Sequence, residues 1–313
     1  MIPVRPFLVA SGSFIQCLSD SPLGLLRLID DDRNVWTLVN ATLQKIGVLA
    51  PDSQPNQLNA GFHPDGSMVA LPVADGIGVS DLAGHMLWRR SGMQGAVFTR
   101  QGSLVAWGYP SKGTVRVTLL DSVSGTSMAE VDVCDPPGAQ SSWLQPSESR
   151  DSVWALVGDG NRDVVTHELL VTDEGLLETD VLPDGWLPLD QDSTGDLLLA
   201  VNDTQFALGI WSRSSQTFTA MRELNDEPGY SGFFLPGDRY VVAGIDTDLI
   251  SYSIADVSDL NTAENLAIVG LDVDNSMLGP IQRCGALVTL RIGPQSSPLK
   301  ILLFHVADLV PVD

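Results

Sequence analysis

Between residues 61 and 91 the apolar positions fall in short blocks separated by polar or glycine-rich breaks, and no helical period is present. Met68, Val69, Ala70, Leu71 and Val73 form a first block, which ends at Ala74-Asp75-Gly76, a sequence suited to a tight hairpin turn. Ile77, Val79 and Leu82 then alternate with Gly78 and Ser80, and Met86-Leu87-Trp88 forms a third block closed by Arg89-Arg90 and Gly92. The stretch "HPDG" at 63–66 supplies a preceding turn. The pattern predicts an antiparallel meander. Such a meander buries little apolar surface by itself and needs neighbours of its own kind.

Those neighbours are present. A turn between two apolar blocks recurs at Asp31, Asp75, Ser111, Asp159, Asp203, Asp246 and Gln295, a period of about 44 residues. The flanking runs include "GLLRLIDDDRNVWTLV" (24–39), "SVWALVGDGNRDVVTHELLV" (152–171) and "DLLLAVNDTQFALGIWS" (196–212), with "QKIGVL" (44–49) and "MAEVDV" (128–133) as fourth strands. The period predicts an all-β fold, a seven-bladed β-propeller of four-stranded antiparallel blades, with the chain as a single domain over 1–313. The blades are expected near 11–50, 60–92, 96–133, 140–182, 187–224, 230–270 and 277–310, the last completed by 4–10. Because the chain ends soon after the third run of the last unit, "VRPFLVA" (4–10) is expected to supply the missing outer strand and close the ring.

Phe62 to Trp88, with its "PDGS" opening and "DG-I-x-V-x-D" continuation, resembles a blade of the WD40-like propellers, and "GDLLLAVNDTQFALGIWS" (195–212) is similar to repeats of the lactonase-type propellers. The chain departs from the WD40 pattern: it has no Trp-Asp dipeptide, and its Gly84-His85 pair follows the second run instead of preceding the blade. Blade stability is therefore expected to rest on packing, with Trp36, Trp88, Trp107, Trp154 and Trp211 in the blade cores.

Charge narrows the partners. The net charge is −22, from 39 acidic and 17 basic residues, which disfavours phosphate backbones and anionic membranes and leaves basic protein partners open. Solubility or growth in salt would also account for it. No run approaches the roughly 18 apolar residues of a membrane span. Cys17, Cys134 and Cys284 are odd in number and far apart, without the spacing of a disulfide framework or zinc site. A cytoplasmic monomer is the expectation.

The search for chemistry returns incomplete motifs. Asp30-x-Asp32-x-Asn34 and Asp159-x-Asn161-x-Asp163 have the alternation of calcium loops, but Val35 and Val164 stand where the loop needs glycine and Ala41 and Leu170 where it needs glutamate. Asp272 and Asp274 meet Arg283 at the corresponding last place. Gly125-Thr126-Ser127-Met128-Ala129 lacks the second glycine of a nucleophile elbow. His63, His85, His167 and His305 fall in different units. No metal or cofactor is expected.

Two readings of function follow. The first is a non-catalytic interaction scaffold whose loops on one face bind a protein partner. "YPSKG" (109–113), "CDPPGAQSSW" (134–143), "NDEPGYSGF" (225–233) and the Asp159 turn offer polar and aromatic contacts, with Tyr109, Lys112, Asp159, Arg162, Asp163, Asp226 and Tyr230 as candidate residues. The alternative, implied by the lactonase-type resemblance, is a hydrolase or small-molecule binder that uses the central channel, with Arg162, Arg213, Arg283 and Asp203 as candidates.

Overall fold

The structure, a computed structural model, describes residues 2–11, 14–18, 26–54, 61–111, 113–134, 141–147, 150–158, 164–180, 182–202, 204–224, 231–246, 251–269, 278–292 and 300–311. They form seven sheets in chain order, antiparallel but for one parallel pair, with one short 3-10 turn at Val306–Leu309 as the only helix among the described residues. The chain divides into two compact units: Ile15–Gly185 carries sheets one to four, apart from the first residue of sheet one, and Met1–Phe14 with Trp186–Asp313 carries sheets five to seven.

In sheets one to six the strands of the sheet's own segment are laid down from an inner to an outer position. The inner strands are Phe14–Leu18, Gly61–Phe62, Gly95–Phe98, Ser141–Pro146, Trp186–Gln191, Gly232–Phe234 and Leu278–Cys284. The outer strands of sheets one to six are Thr42–Val48, Met86–Ser91, Ser127–Cys134, Gly175–Asp180, Thr217–Glu223 and Asp259–Ile268. Of the turn positions read from the sequence, Asp31 and Asp75 fall between the second and third strands, Ser111 and Asp246 are the last residues of second strands, and Asp159, Asp203 and Gln295 lie outside the described residues.

Sequence pattern and burial agree strand by strand. The second and third strands of sheet two, Met68–Val73 and Gly76–Asp81, are buried almost without interruption, because both their faces are covered. The outer strand Met86–Ser91 alternates half-buried and exposed, so only one face is packed. Val105, Trp107, Val117 and Leu119 of sheet three pack against Leu144, Val153 and Ala155 of sheet four, while Phe98, Leu104 and Ala106 pack against Ala70, Ile77 and Val79 of sheet two. Each fully buried aliphatic side chain contributes roughly 1.5–3 kcal/mol. Of the tryptophans expected in the cores, Trp107, Trp154 and Trp211 are buried, and Trp36 and Trp88 are half-buried.

Sheet seven holds three strands from its own segment, and Leu8–Ser11 supplies the fourth, antiparallel to Lys300–His305 with Leu8 opposite Leu303. The N-terminal segment does more than the sequence predicts. Ile2–Val4 adds in parallel to the outer strand of sheet six, Ile2 opposite Leu266 and Val4 opposite Ile268, so that sheet has five strands. Val4 is buried, and its carbonyl accepts the Val269 N–H at 2.8 Å.

Candidate partner-binding site

Strand alternation gives each sheet two distinct ends. The connection between strands two and three and the link to the next sheet share one end, called here the link end; the other two turns share the opposite, or turn, end. Of the candidate residues, Tyr109 lies at the link end of sheet three. Lys112, Asp159, Arg162, Asp163, Asp226 and Tyr230 lie outside the described residues.

Around Tyr109 three segments are fastened together. The carbonyl of Asp75, in the strand-two-to-three turn of sheet two, accepts the Gly92 N–H at 3.1 Å. Gly92 has a φ of +77°, and its carbonyl oxygen crosses Gly108 so closely that a Cβ there would come within 2.4 Å of it. Gln94 then donates its N–H to the Trp107 carbonyl at 2.7 Å. Beyond Gly108 the register between strands shifts, so Tyr109 and Pro110 leave the ladder and stand exposed, Tyr109 at 36%. Ser111 closes the tip through its hydroxyl to Thr114 Oγ1 at 3.2 Å. An exposed aromatic ring on a sheet-anchored tip can bind a partner with little loss of side-chain entropy.

The carboxylates at the two ends of the first sheets differ in occupation. At the turn end, Asp65 accepts the Ser67 N–H at 2.8 Å, and bonds from Ser67 together with the neighbouring His63 bring its pKa down to about 2. Asp81 accepts the N–H groups of His85 and Ala83 and pairs with the His85 ring, and Asp121 accepts from Ser124 and Val123; both carboxyls are held below their ordinary value by these bonds. At the link end, Asp31, Asp32 and Asp75 are exposed and make no ion pair among the described residues.

Asp30, first of the calcium-like set, points elsewhere. Its carboxylate accepts the Asn34 N–H at 2.8 Å, the Asn34 side chain at 3.0 Å and the Trp36 indole N–H at 2.8 Å. Burial raises its pKa, but these bonds outweigh burial and leave it below the ordinary value. It caps its own turn. No group of three or more metal-binding side chains occurs among the described residues.

Of the four channel candidates, the described residues include Arg213 and Arg283, which lie in different sheets. Arg162 and Asp203 lie outside the described residues. Arg213 sits in the turn between strands three and four of sheet five, and Arg283, at the end of the inner strand of sheet seven, donates to the carbonyls of Phe234 at 2.8 Å and Gly285 at 3.3 Å. The histidines are likewise separate: His63 lies beside Asp65 and Phe98, His85 pairs with Asp81, His167 with Glu178, and His305 stacks on Phe7.

Buried acids escaped the sequence reading, Glu168 the deepest of them among the described residues. Glu168, only 1% exposed, accepts the Ser152 hydroxyl at 2.8 Å and the Trp154 indole N–H at 3.3 Å, with Arg150 at 3.9 Å. The run "VVTHELLV" reads as apolar, and nothing in it announces that Glu168 faces Trp154 across the ladder.

No family model and no curated protein matches the chain. Solved structures do. A chain of a structure described as the crystal structure of the mitotic checkpoint complex aligns over 97% of this chain and 93% of its own length, with a TM-score of 0.63 at 11% identity. A second, described as the structure of the Dos1 propeller, aligns over 95% and 85%, with a TM-score of 0.57 at 10% identity. The likeness shows the fold, a seven-bladed β-propeller. No helix among the described residues is long and apolar enough to cross a membrane.

Proposed function

We propose that this protein is an interaction scaffold that binds a protein partner, a basic one, at the link end of its sheets. The observation that carries the reading is the tip at Asp75, Gly92 and Tyr109: backbone bonds fix it, and it presents an exposed tyrosine near a carboxylate engaged in no ion pair. Aromatic anchors with a charged surround are the common composition of binding hot spots. The mitotic checkpoint structure is by its description a complex, which fits a propeller in a protein assembly. Lys112, Asp159, Arg162, Asp163, Asp226 and Tyr230, partner-binding candidates from the sequence, lie outside the described residues and remain part of the proposal.

The test is affinity capture from native lysate with the full chain and with Tyr109→Ala and Asp75→Lys, read by mass spectrometry. Loss of the same basic proteins from both variants, with the circular dichroism unchanged, supports the reading. An unchanged set of captured proteins overturns it.

A further inference from the structure

The outer strand of a sheet exposes a row of backbone N–H and C=O groups, and proteins usually interrupt that row. Three of the four outer strands in the unit Ile15–Gly185 do so by a register shift that leaves one extra residue: Ile46 in sheet one, Leu87 in sheet two and Met128 in sheet three. The outer strand of sheet four, Gly175–Asp180, does not. It pairs with Val164–Thr172 through six consecutive partners, from Thr172 opposite Gly175 to His167 opposite Asp180, without a shift. The two-residue loop Asp173–Glu174 closes on Thr172 and Gly175, and the alternation of an antiparallel ladder then turns the backbone groups of Leu176 and Glu178 toward the open edge. No described strand pairs with that edge.

The side chains along it suggest what fits. Leu176 packs inward with Ala129 and Val131 of sheet three, whereas Leu177 is 54% exposed, Glu174 is an exposed carboxylate, and Glu178 is an exposed carboxylate that also pairs with the His167 ring at 2.8 Å. The chain itself shows how an outer edge is used: Ile2–Val4 adds to the outer strand of sheet six with alternate apolar residues packed down. A second copy of sheet four would bring these carboxylates against their own kind, which disfavours self-pairing. We infer that the open edge of Gly175–Asp180 is a docking site for an extended basic segment of a partner protein, which adds to sheet four as a fifth strand. The edge is separate from the Tyr109 tip, so the two readings fail independently.

The probe is a fluorescent peptide of alternating lysine and valine, titrated against the full chain by fluorescence anisotropy beside a counterpart with N-methylated amides. The plain peptide binds, and the methylated one binds at least about tenfold more weakly, because it cannot complete the ladder. Glu178→Pro removes an outward N–H and weakens the plain peptide by a similar factor, while Glu178→Gln keeps the N–H and weakens it less. Tyr109→Ala leaves the affinity unchanged. Absence of binding, equal binding of the two peptides, equal binding by a folded Glu178→Pro variant, loss of binding in Tyr109→Ala, or a wild-type dimer that Glu178→Pro abolishes would each overturn the inference. If Glu178→Pro fails to fold, the methylated peptide decides.

Discussion

Trp88 donates its indole N–H to the carbonyl of Ser122 at 2.9 Å, and so an outer strand of sheet two is bonded to a turn of sheet three. Gly125 lies flat on the same ring: a Cβ there would stand 2.7 Å from a Trp88 ring carbon, and its φ is +70°. Arg90 completes the fastening, with its guanidinium on the Gly125 carbonyl at 3.0 Å and on Ser127 Oγ at 2.6 Å. Gly125→Ala is expected to destabilise the protein by about 1–3 kcal/mol, from backbone strain and overlap with the ring together. Urea denaturation followed by tryptophan fluorescence measures it, and a wild-type midpoint would contradict the packing described.

Glu168 holds the hydroxyl of Ser152 and the indole of Trp154 in a place that water does not reach. Glu168→Ala removes the acceptor that Ser152 and Trp154 share and should cost about 2–4 kcal/mol, whereas Glu168→Gln retains an acceptor and should cost less. Thermal unfolding of the two variants side by side gives the ranking.

Asp65 makes a prediction about acid. Its pKa lies near 2 in the folded chain against an ordinary 3.8, so folding favours the ionised form. The stability this contributes is full above about pH 4 and is lost as the pH falls toward 2. Asp65→Asn should therefore be less stable than the wild type at neutral pH, and the difference should close across that window. Chemical denaturation at a series of pH values follows it; a gap that stays constant down to pH 2 would exclude Asp65 as the cause.

At the tip, Gly108→Ala should act at a distance. The Gly92 carbonyl occupies the space a Cβ would need, so the substitution pushes the Gly92–Gln94 link away and displaces Tyr109 without touching its ring. Partner capture should fall as in Tyr109→Ala, with a loss of stability of about 1–3 kcal/mol in addition. Capture at the wild-type level would show that the link and the tip do not act together.

Much of the fold is legible in the sequence because the strongest local signal, a polar break between two apolar runs, recurs along the chain with the sheets. Asp31 and Asp75 mark that place, and the buried second and third strands read as continuous apolar runs beside them. The inner strands are harder to see: Gly61–Phe62 is two residues long, too short for any period. The parallel addition of Ile2–Val4 depends on a partner strand more than 260 positions away and leaves no local mark. At the site, Tyr109 is legible as an aromatic residue in a polar, Pro-containing loop. Its link to Asp75 through Gly92 is not, because it consists of backbone bonds and a close backbone approach between positions distant in the chain. The open edge at Gly175–Asp180 is the extreme case, since it is defined by register, which one strand's sequence does not state.

Leu8–Ser11 finds its partner in Lys300–His305, some 290 residues later. On a ribosome adding about 5–20 residues per second, that partner emerges roughly 15–60 seconds afterwards. For that interval Ile2, Val4 and Leu8 have no native surface to cover them, and sheet seven is one strand short until the two distant pieces of chain meet. A bulky fusion ahead of Ile2 would burden that meeting more than one placed after Val310.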